Sequence, residues 1–544
     1  MLSKFPRTRF AALDVGLCCA LFTAAALMCL RGFVISFTDV GLWDMAAGLV
    51  DHIPEIVPTP HYTPYFLGIH WPLALTPYHG PWALYPLMAL IPLLGPHAVA
   101  AYNIFFGCLA IAGTYALAIA LYGSRAAAFA AALLVALNAS FVVLGGMTGL
   151  GDGIATVAAC VWTCVFLLRF ADERRDADAI LSALCLGFAL GGFAWSLAFS
   201  TGLAAFGLYA WRTIKDFLAQ DTRRRLTLLA ACAALSAFFL APLALYNIHT
   251  HGFSGDYIGR IVSPPDEDAP LLLAPVHRDY AQDFAIRLVQ LARLLDGTGT
   301  DYQMFVTDGF RGGVYLKASL LAAALIAFIL PRRRGRARTR WMLPWILATV
   351  YFALSPWSPS GFYVHHLLPI LPFLSILIAS TIALSRSRIA RVIMMAATIA
   401  CVLLGLRAIP AAARQVVSDN EPFDTPILPQ VCSFLMNGRS RHIVSLRPFF
   451  SYALDYCSQG RIAGTDVSWR EVFTGQSTIS TLREGSLILE SLPDSLPFLL
   501  FLRPILVQHH WRAVETKEFK TRQGRVQFRL LELRGARHSH LGQN

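Results

Sequence analysis

This chain is poor in charge. Only 14% of its 544 residues are Asp, Glu, Lys or Arg, while 56% are apolar, a balance that excludes an ordinary soluble enzyme. From Gly32 through Ser124 there is no Lys or Arg at all. There is no CxxC pair and no zinc-type Cys/His spacing, which removes the usual sequence grounds for a structural metal. No surface of basic residues interleaved with aromatics is visible, so nucleic acid is not an expected partner. Nor does one half of the chain repeat the other.

What is present is a series of apolar runs near twenty residues, separated by short charged clusters, the pattern of a polytopic membrane protein. The net charge of +12 is confined largely to those clusters, which makes them topology determinants. Nine of the eleven cysteines (Cys18, Cys19, Cys29, Cys108, Cys160, Cys164, Cys185, Cys232 and Cys401) fall in apolar segments, where they act as small hydrophobes. Cys432 and Cys457 fall in the polar C-terminal region, where export would allow one disulfide.

Lys4, Arg7 and Arg9 precede an apolar run over 11–35. That run is too long for a cleaved signal and is expected to be a retained anchor with a cytoplasmic N-terminus. Residues 81–96 are short for a span and broken by Pro86 and Pro92, so they are expected to lie along the outer interface. Further spans are expected at 97–121, 125–146, 153–170, 178–194, 197–211, 226–246, 313–330, 341–355, 361–384 and 391–410, eleven in all with the first. Alternation then puts six segments in the cytoplasm, which together hold 21 Lys and Arg, including the run PRRRGRARTR. The outer turns at 147–152, 195–196 and 356–360 hold none, as the positive-inside rule requires.

This topology gives a membrane domain over 1–410, with outer loops at 36–96 and 247–312, and an extracytoplasmic domain over 411–544. In the latter, RHIVSL and RIAGTD have strand character around a helix-like PFFSYALDYCSQG, and VETKEFKTRQGRVQFRLLELR is expected to be a hairpin around Gln523 and Gly524. The fold class expected is an α-helical polytopic membrane protein with a small C-terminal α/β or α+β domain.

Asp39 follows the first span beside Thr38 and Trp43. A partly desolvated carboxylate there suits a general base, and an N-cap of the stretch GLWDMAAGL would use the same residue. Asp152 is the only acid between Glu55 and Asp172 and opens a span on the outer side. An ionisable group at membrane depth points to function, while at an interface it is also ordinary cap chemistry. His79, with His61 and His70, lies in the first outer loop, and His365 and His366 adjoin in FYVHHLLPILP. None has a tight ligand spacing, so no metal or other cofactor is assigned. The second outer loop carries Arg260, Arg278, Arg287, Arg293 and Arg311 among several acids. Guanidinium forks match phosphate oxygens, and Arg260 and Arg311 flank the loop near its spans. Gly187 and Gly191 form a GxxxG packing pair.

The order of these features resembles the GT-C superfamily of membrane glycosyltransferases, including the protein O-mannosyltransferases and the aminoarabinose transferases of lipid A. The resemblance rests on Asp39 just after the first span, on a long first outer loop, and on TPYHGPWALYPLMALIPLLGP before the second span. LAIALYGSRAAAFAAALLVALNASF is similar to the family's next two spans, Asp152 to its second outer acid, and FYVHHLLPILPFLSILIA to its late segment. It covers roughly 10–410 as architecture. Val40 stands where the family often has a second acid, and His365 or His366 where Arg is commoner. The resemblance implies an inverting transferase of the bacterial inner membrane that moves a sugar from a polyprenyl-phosphate-linked donor to a glycan, lipid or protein acceptor. Asp39 would be the base and Asp152 would position the acceptor or a catalytic partner, with Arg260, Arg311, His79, His365 and His366 toward the substrate. A transporter or flippase of lipid-linked intermediates, or a scaffold of an envelope-polymer assembly, are the alternative expectations.

Overall fold

The computed structural model describes residues 9–30, 65–66, 69–71, 73, 80–94, 98–146, 151–192, 196–211, 215, 222–249, 280–298, 313–329, 336–357, 364–385, 387–416, 428–437, 442–445, 463–466, 486–491, 506–520 and 526–535. Its helical part runs α1 (Arg9–Leu30), α2 (Leu84–Leu94, entered by a 3-10 turn over Pro81–Ala83), α3 (Ala98–Tyr122), α4 (Arg125–Ala136), α5 (Ala139–Gly146), α6 (Gly151–Glu173), α7 (Asp176–Gly192) and α8 (Ser196–Tyr209). It continues with α9 (Thr222–His249), α10 (Tyr280–Asp296), α11 (Gly313–Ile329), α12 (Arg336–Leu354), 3-10 turns at Ser355–Trp357 and Val364–Ile370, α13 (Leu371–Leu384) and α14 (Arg388–Val416). Described helical residues fall within each of the expected spans, 125–146 holding two separate helices. Among the described residues six helices are long and apolar enough to cross a membrane, within Ala11–Cys29, Ala98–Tyr122, Gly153–Glu173, Thr222–Ile248, His366–Leu384 and Arg388–Ala411. Among the described residues, 81–94 hold the 3-10 turn and the 11-residue α2, which at about 1.5–2 Å per residue fall short of a hydrocarbon core.

The bundle is built around α13, whose residues Leu371 through Ile382 are all buried. An element apolar on every side belongs in the interior. The alanines of α4 (Ala127, Ala128, Ala130, Ala131 and Ala132) are buried against it, because small side chains let helix backbones approach. By contrast, α9 and α14 expose Leu226, Leu229, Phe238, Ile389, Val392 and Leu403. Such faces are stable only against lipid or another apolar surface.

Ion pairs gather the arginine clusters at one end of the bundle. Asp14 near the start of α1 bonds Arg125 at the start of α4 (2.6 Å), and Asp178 at the start of α7 meets Arg169 near the end of α6 (3.3 Å). Asp176 takes Arg224 of α9 (2.7 Å), and Asp172 takes Arg340 of α12. Tight turns serve the same end: Gly123, at φ +63°, allows the two-residue link from α3 to α4. The Ser124 hydroxyl then caps α4 by accepting from the Ala127 amide.

The run 125–146, expected as one span, is broken at Leu137 and Asn138 into α4 and α5. Asn138 turns its carboxamide onto the backbone, accepting from the Phe141 amide at 3.0 Å and donating to the Leu294 carbonyl at 2.9 Å. Side-chain bonding of this kind competes with the helical ladder and interrupts it. A second difference lies in 247–312, expected as loop, where α10 forms. Its buried stripe is Asp283, Arg287, Gln290 and Leu294, while Leu288 and Val289 face outward. The helix therefore presents a polar face to the protein.

Beyond α15 (Leu428–Asn437) the strands are β3 (His442–Ser445), β4 (Ala463–Asp466), β5 (Leu487–Ser491), β6 (Trp511–Lys520) and β7 (Val526–Gly535), joined in the order β4-β3-β5-β7-β6. β3 pairs in parallel with β4 and β5; β7 pairs antiparallel with β5 and β6. A small two-stranded pair, β1 (Tyr65–Phe66) and β2 (Ile69–His70), belongs to the first loop. The expected strands at RHIVSL and RIAGTD and the expected hairpin are present; the stretch PFFSYALDYCSQG lies outside the described residues. Cys432 is disulfide-bonded; Cys457 lies outside the described residues.

Candidate functional site

Asp152 occupies the second position of α6, at the end of the bundle away from the arginine belt. The positive end of the helix dipole favours an acid there. α7 ends beside it at Gly192 and α8 starts at Ser196, whose hydroxyl donates back to the Ala189 carbonyl. The end of the first loop reaches the same place. At Gly80 a Cβ would sit 1.9 Å from the Gly191 carbonyl oxygen, so only glycine fits. Two residues on, the Trp82 indole donates to the Phe239 carbonyl of α9 at 2.6 Å.

The 3-10 turn carrying His365 and His366 packs against both α6 and α10. His366 is buried, and its backbone carbonyl accepts from the Tyr351 hydroxyl at 2.7 Å. Beside it Arg287 of α10 is wholly buried, donating to the Ser355 carbonyl (3.2 Å) and to Gln290 Oε1 (2.8 Å). Burial lowers the Arg287 guanidinium to about 10, with Tyr351 and Asp283 acting in the opposite sense. It remains a cation at neutral pH. Among the loop arginines, this one is thus committed to docking α10 on the 3-10 turn at Ser355–Trp357.

Asp152 and the Val364–Ile370 turn therefore belong to one cluster of elements, α6, α10, α12 and the turn. The side chains of Asp152 and His365 lie outside the described residues, as do Asp39, His79, Arg260 and Arg311 altogether. Among the described residues no three His, Cys, Asp or Glu side chains come together as a metal cage. Two polar residues near this end were passed over in the sequence, Asn103 of α3 and Thr156 of α6, each 1% exposed. The signal available was a carboxamide and a hydroxyl inside apolar spans.

Solved structures resemble the chain over nearly its whole length. ArnT from Cupriavidus metallidurans bound to undecaprenyl phosphate matches with a TM-score of 0.58 at 13% identity, covering 96% of this chain and 98% of that one. The apo form of the same protein gives 0.56 at 12% identity, over 96% and 97%. The Archaeoglobus fulgidus oligosaccharyltransferase, tethered to an acceptor peptide containing the NVT sequon, gives 0.51 at 12% identity, over 94% and 73%. No protein-family model and no curated protein sequence matches the chain. All three structures are of GT-C glycosyltransferases, and the chain has their fold.

Proposed function

We propose that this GT-C-fold chain is a glycosyltransferase that moves a sugar from a polyprenyl-phosphate-linked donor to an acceptor outside the cytoplasm. The observation that carries this reading is the match, over almost the full length of both chains, to a structure bound to undecaprenyl phosphate. The arginine belt supports a cytoplasmic location for its own end of the bundle, by the positive-inside rule. The acid-bearing end and the domain over 411–544 then face outward from a bacterial inner membrane.

In this reading the lipid tail lies along the apolar helices while the sugar phosphate sits at the end where α6 begins. Asp39 accepts the proton of the acceptor hydroxyl as its oxygen attacks the anomeric carbon. The bond from that carbon to the phosphate oxygen breaks, and the configuration inverts. Asp152 holds the acceptor or a catalytic partner. Arg260 or Arg311, with His365, His366 and His79 toward the substrate, stabilise the charge gathering on the departing lipid phosphate. Removing one such contribution typically costs 10²-fold or more in rate.

The test compares Asp39→Asn with the wild-type chain in membranes supplied with lipid-linked donor. At equal expression, transfer should fall by about two orders of magnitude or more while donor binding persists. Full activity in the variant would overturn the mechanism.

A further inference from the structure

The C-terminal domain holds a groove that the sugar transfer described above does not use. It lies between α15 and the end of β6 and has a volume of about 730 Å³, within the range of about 300–1,000 Å³ common to ligand-binding clefts. One wall is the exposed face of α15. Val431, Cys432 and Leu435 of that helix are buried, with Cys432 further held by its disulfide. Gln430, Ser433, Phe434 and Asn437, at the i, i+3, i+4, i+7 spacing of one helical face, turn to the groove. The other wall is residues 517–520 of β6, which closes one edge of the sheet.

A regular strand sends successive side chains to opposite faces. Here the register against β7 shifts between Glu515 and Lys517 and again between Phe519 and Lys520, and such bulges re-aim side chains. Charges and bulges also guard a sheet edge against pairing with another chain, but that role needs nothing from α15. Lys520 bonds the Glu518 carboxylate at 2.9 Å, and Arg529 of β7 reaches it at 3.3 Å, so the acid of this groove is neutralised. Lys517 has no carboxylate partner among the described residues; its ammonium lies 5.8 Å from the centroid of the Phe434 ring. Phe434 stands edge-on to the buried Phe519, with centroids 5.7 Å apart, and remains 40% exposed.

The groove thus offers a cation without a carboxylate, an exposed aromatic ring, two carboxamides and a hydroxyl. Carboxamides and hydroxyls both donate and accept, which matches the hydroxyls of a sugar. A flat apolar ring suits the C–H side of a pyranose, and an ammonium is a point charge for a carboxylate or phosphate. An acidic peptide would meet Lys517 as well, but a peptide joins an edge strand through a main-chain ladder, which the two bulges interrupt. We infer that the groove between α15 and β6 binds an acidic saccharide unit of the acceptor, so that the acceptor is an anionic glycan or a molecule carrying one. This rests on the glycosyltransferase reading of the chain and adds to it the chemical class of the acceptor.

The experiment measures binding of the purified full chain, without donor, to short oligomers of galacturonate, mannuronate and mannose 6-phosphate. Each is paired with its neutral parent oligomer, and a glutamate oligopeptide is the charged non-sugar. At least one acidic oligomer should bind about tenfold or more tightly than its parent, the worth of a hydrogen bond to a charged group. Lys517→Gln should abolish that preference, and Lys517→Arg should keep it. Phe434→Leu should weaken acidic and neutral oligomers alike. Both lysine variants should melt with the wild type, because the side chain is exposed. A wild-type chain that prefers no acidic oligomer, or a Lys517→Gln chain that keeps the preference, overturns the site. So does a glutamate peptide held as tightly as the best acidic sugar, which would assign the groove to a protein partner. The transferase reading is tested apart: a wild-type chain that releases no undecaprenyl phosphate from its donors yet loses the acidic preference on Lys517→Gln would sink that reading and leave the acidic-sugar site standing.

Discussion

Replacing Arg287 with Met tests how the outer segments are docked. The guanidinium is wholly buried and donates to the Ser355 carbonyl at 3.2 Å and to Gln290 at 2.8 Å. Two effects compete. Burying a cation is unfavourable, which is why its pKa falls to about 10, and Met relieves that cost. Against it, Asp283, itself 3% exposed, is left as a buried carboxylate facing no cation from position 287, and two acceptors lose their donor. Breaking one side of a buried charged arrangement typically costs about 3–5 kcal/mol, more than the relief from desolvation, so Arg287→Met should be clearly destabilised. Adding Asp283→Asn removes the stranded charge and should recover a large part of the loss. The assay is thermal melting in detergent for the wild type, both single variants and the double. Additive losses, or an Arg287→Met protein that melts like the wild type, would refute the idea that this cluster docks α10.

Two further outcomes follow from packing and charge. At Gly80 the backbone φ is −76°, which any residue adopts, so Gly80→Ala is penalised only by the clash with the Gly191 carbonyl. It should cost about 1–3 kcal/mol and disturb the Trp82 environment, read as a lower melting temperature and a shift in tryptophan fluorescence. In the C-terminal sheet, Lys520, its strongest partner, and Arg529 hold the Glu518 carboxyl below its usual 4.5. A depressed folded-state pKa gives stability that is complete above 4.5 and lost as pH falls through the folded value. Glu518→Gln should therefore lower the neutral side of a melting curve taken between about pH 3 and 6 and leave the acid end close to wild type, so that the curve flattens.

The helices were legible because membrane spans announce themselves by length and by where the arginines fall. The short, proline-broken 81–96 segment was expected to be interfacial on length, and it holds the 11-residue α2. What escaped were features that depend on a partner distant in sequence. α10 buries Asp283, Arg287 and Gln290 and turns Leu288 and Val289 outward, the reverse of the pattern that marks a helix in water. The break at Asn138 needs the Leu294 carbonyl, which is 156 residues away. In the C-terminal region alternation revealed β3, β4 and the β6–β7 hairpin. α15 and β5 were not expected from the sequence. Of the acids, arginines and histidines expected at the site, Asp39, His79, Arg260 and Arg311 lie outside the described residues.

The central claim is sugar transfer from a lipid phosphate with Asp39 as base. It is tested most directly by reconstituting the purified chain in liposomes with a radiolabelled undecaprenyl-phosphate-linked sugar and an envelope extract as acceptor. The measured quantity is the release of free undecaprenyl phosphate. The wild-type chain should release it in step with labelled product, and Asp39→Asn should release about a hundredth as much or less. Equal release from both, or movement of intact lipid-linked sugar across the bilayer without cleavage, would contradict the account.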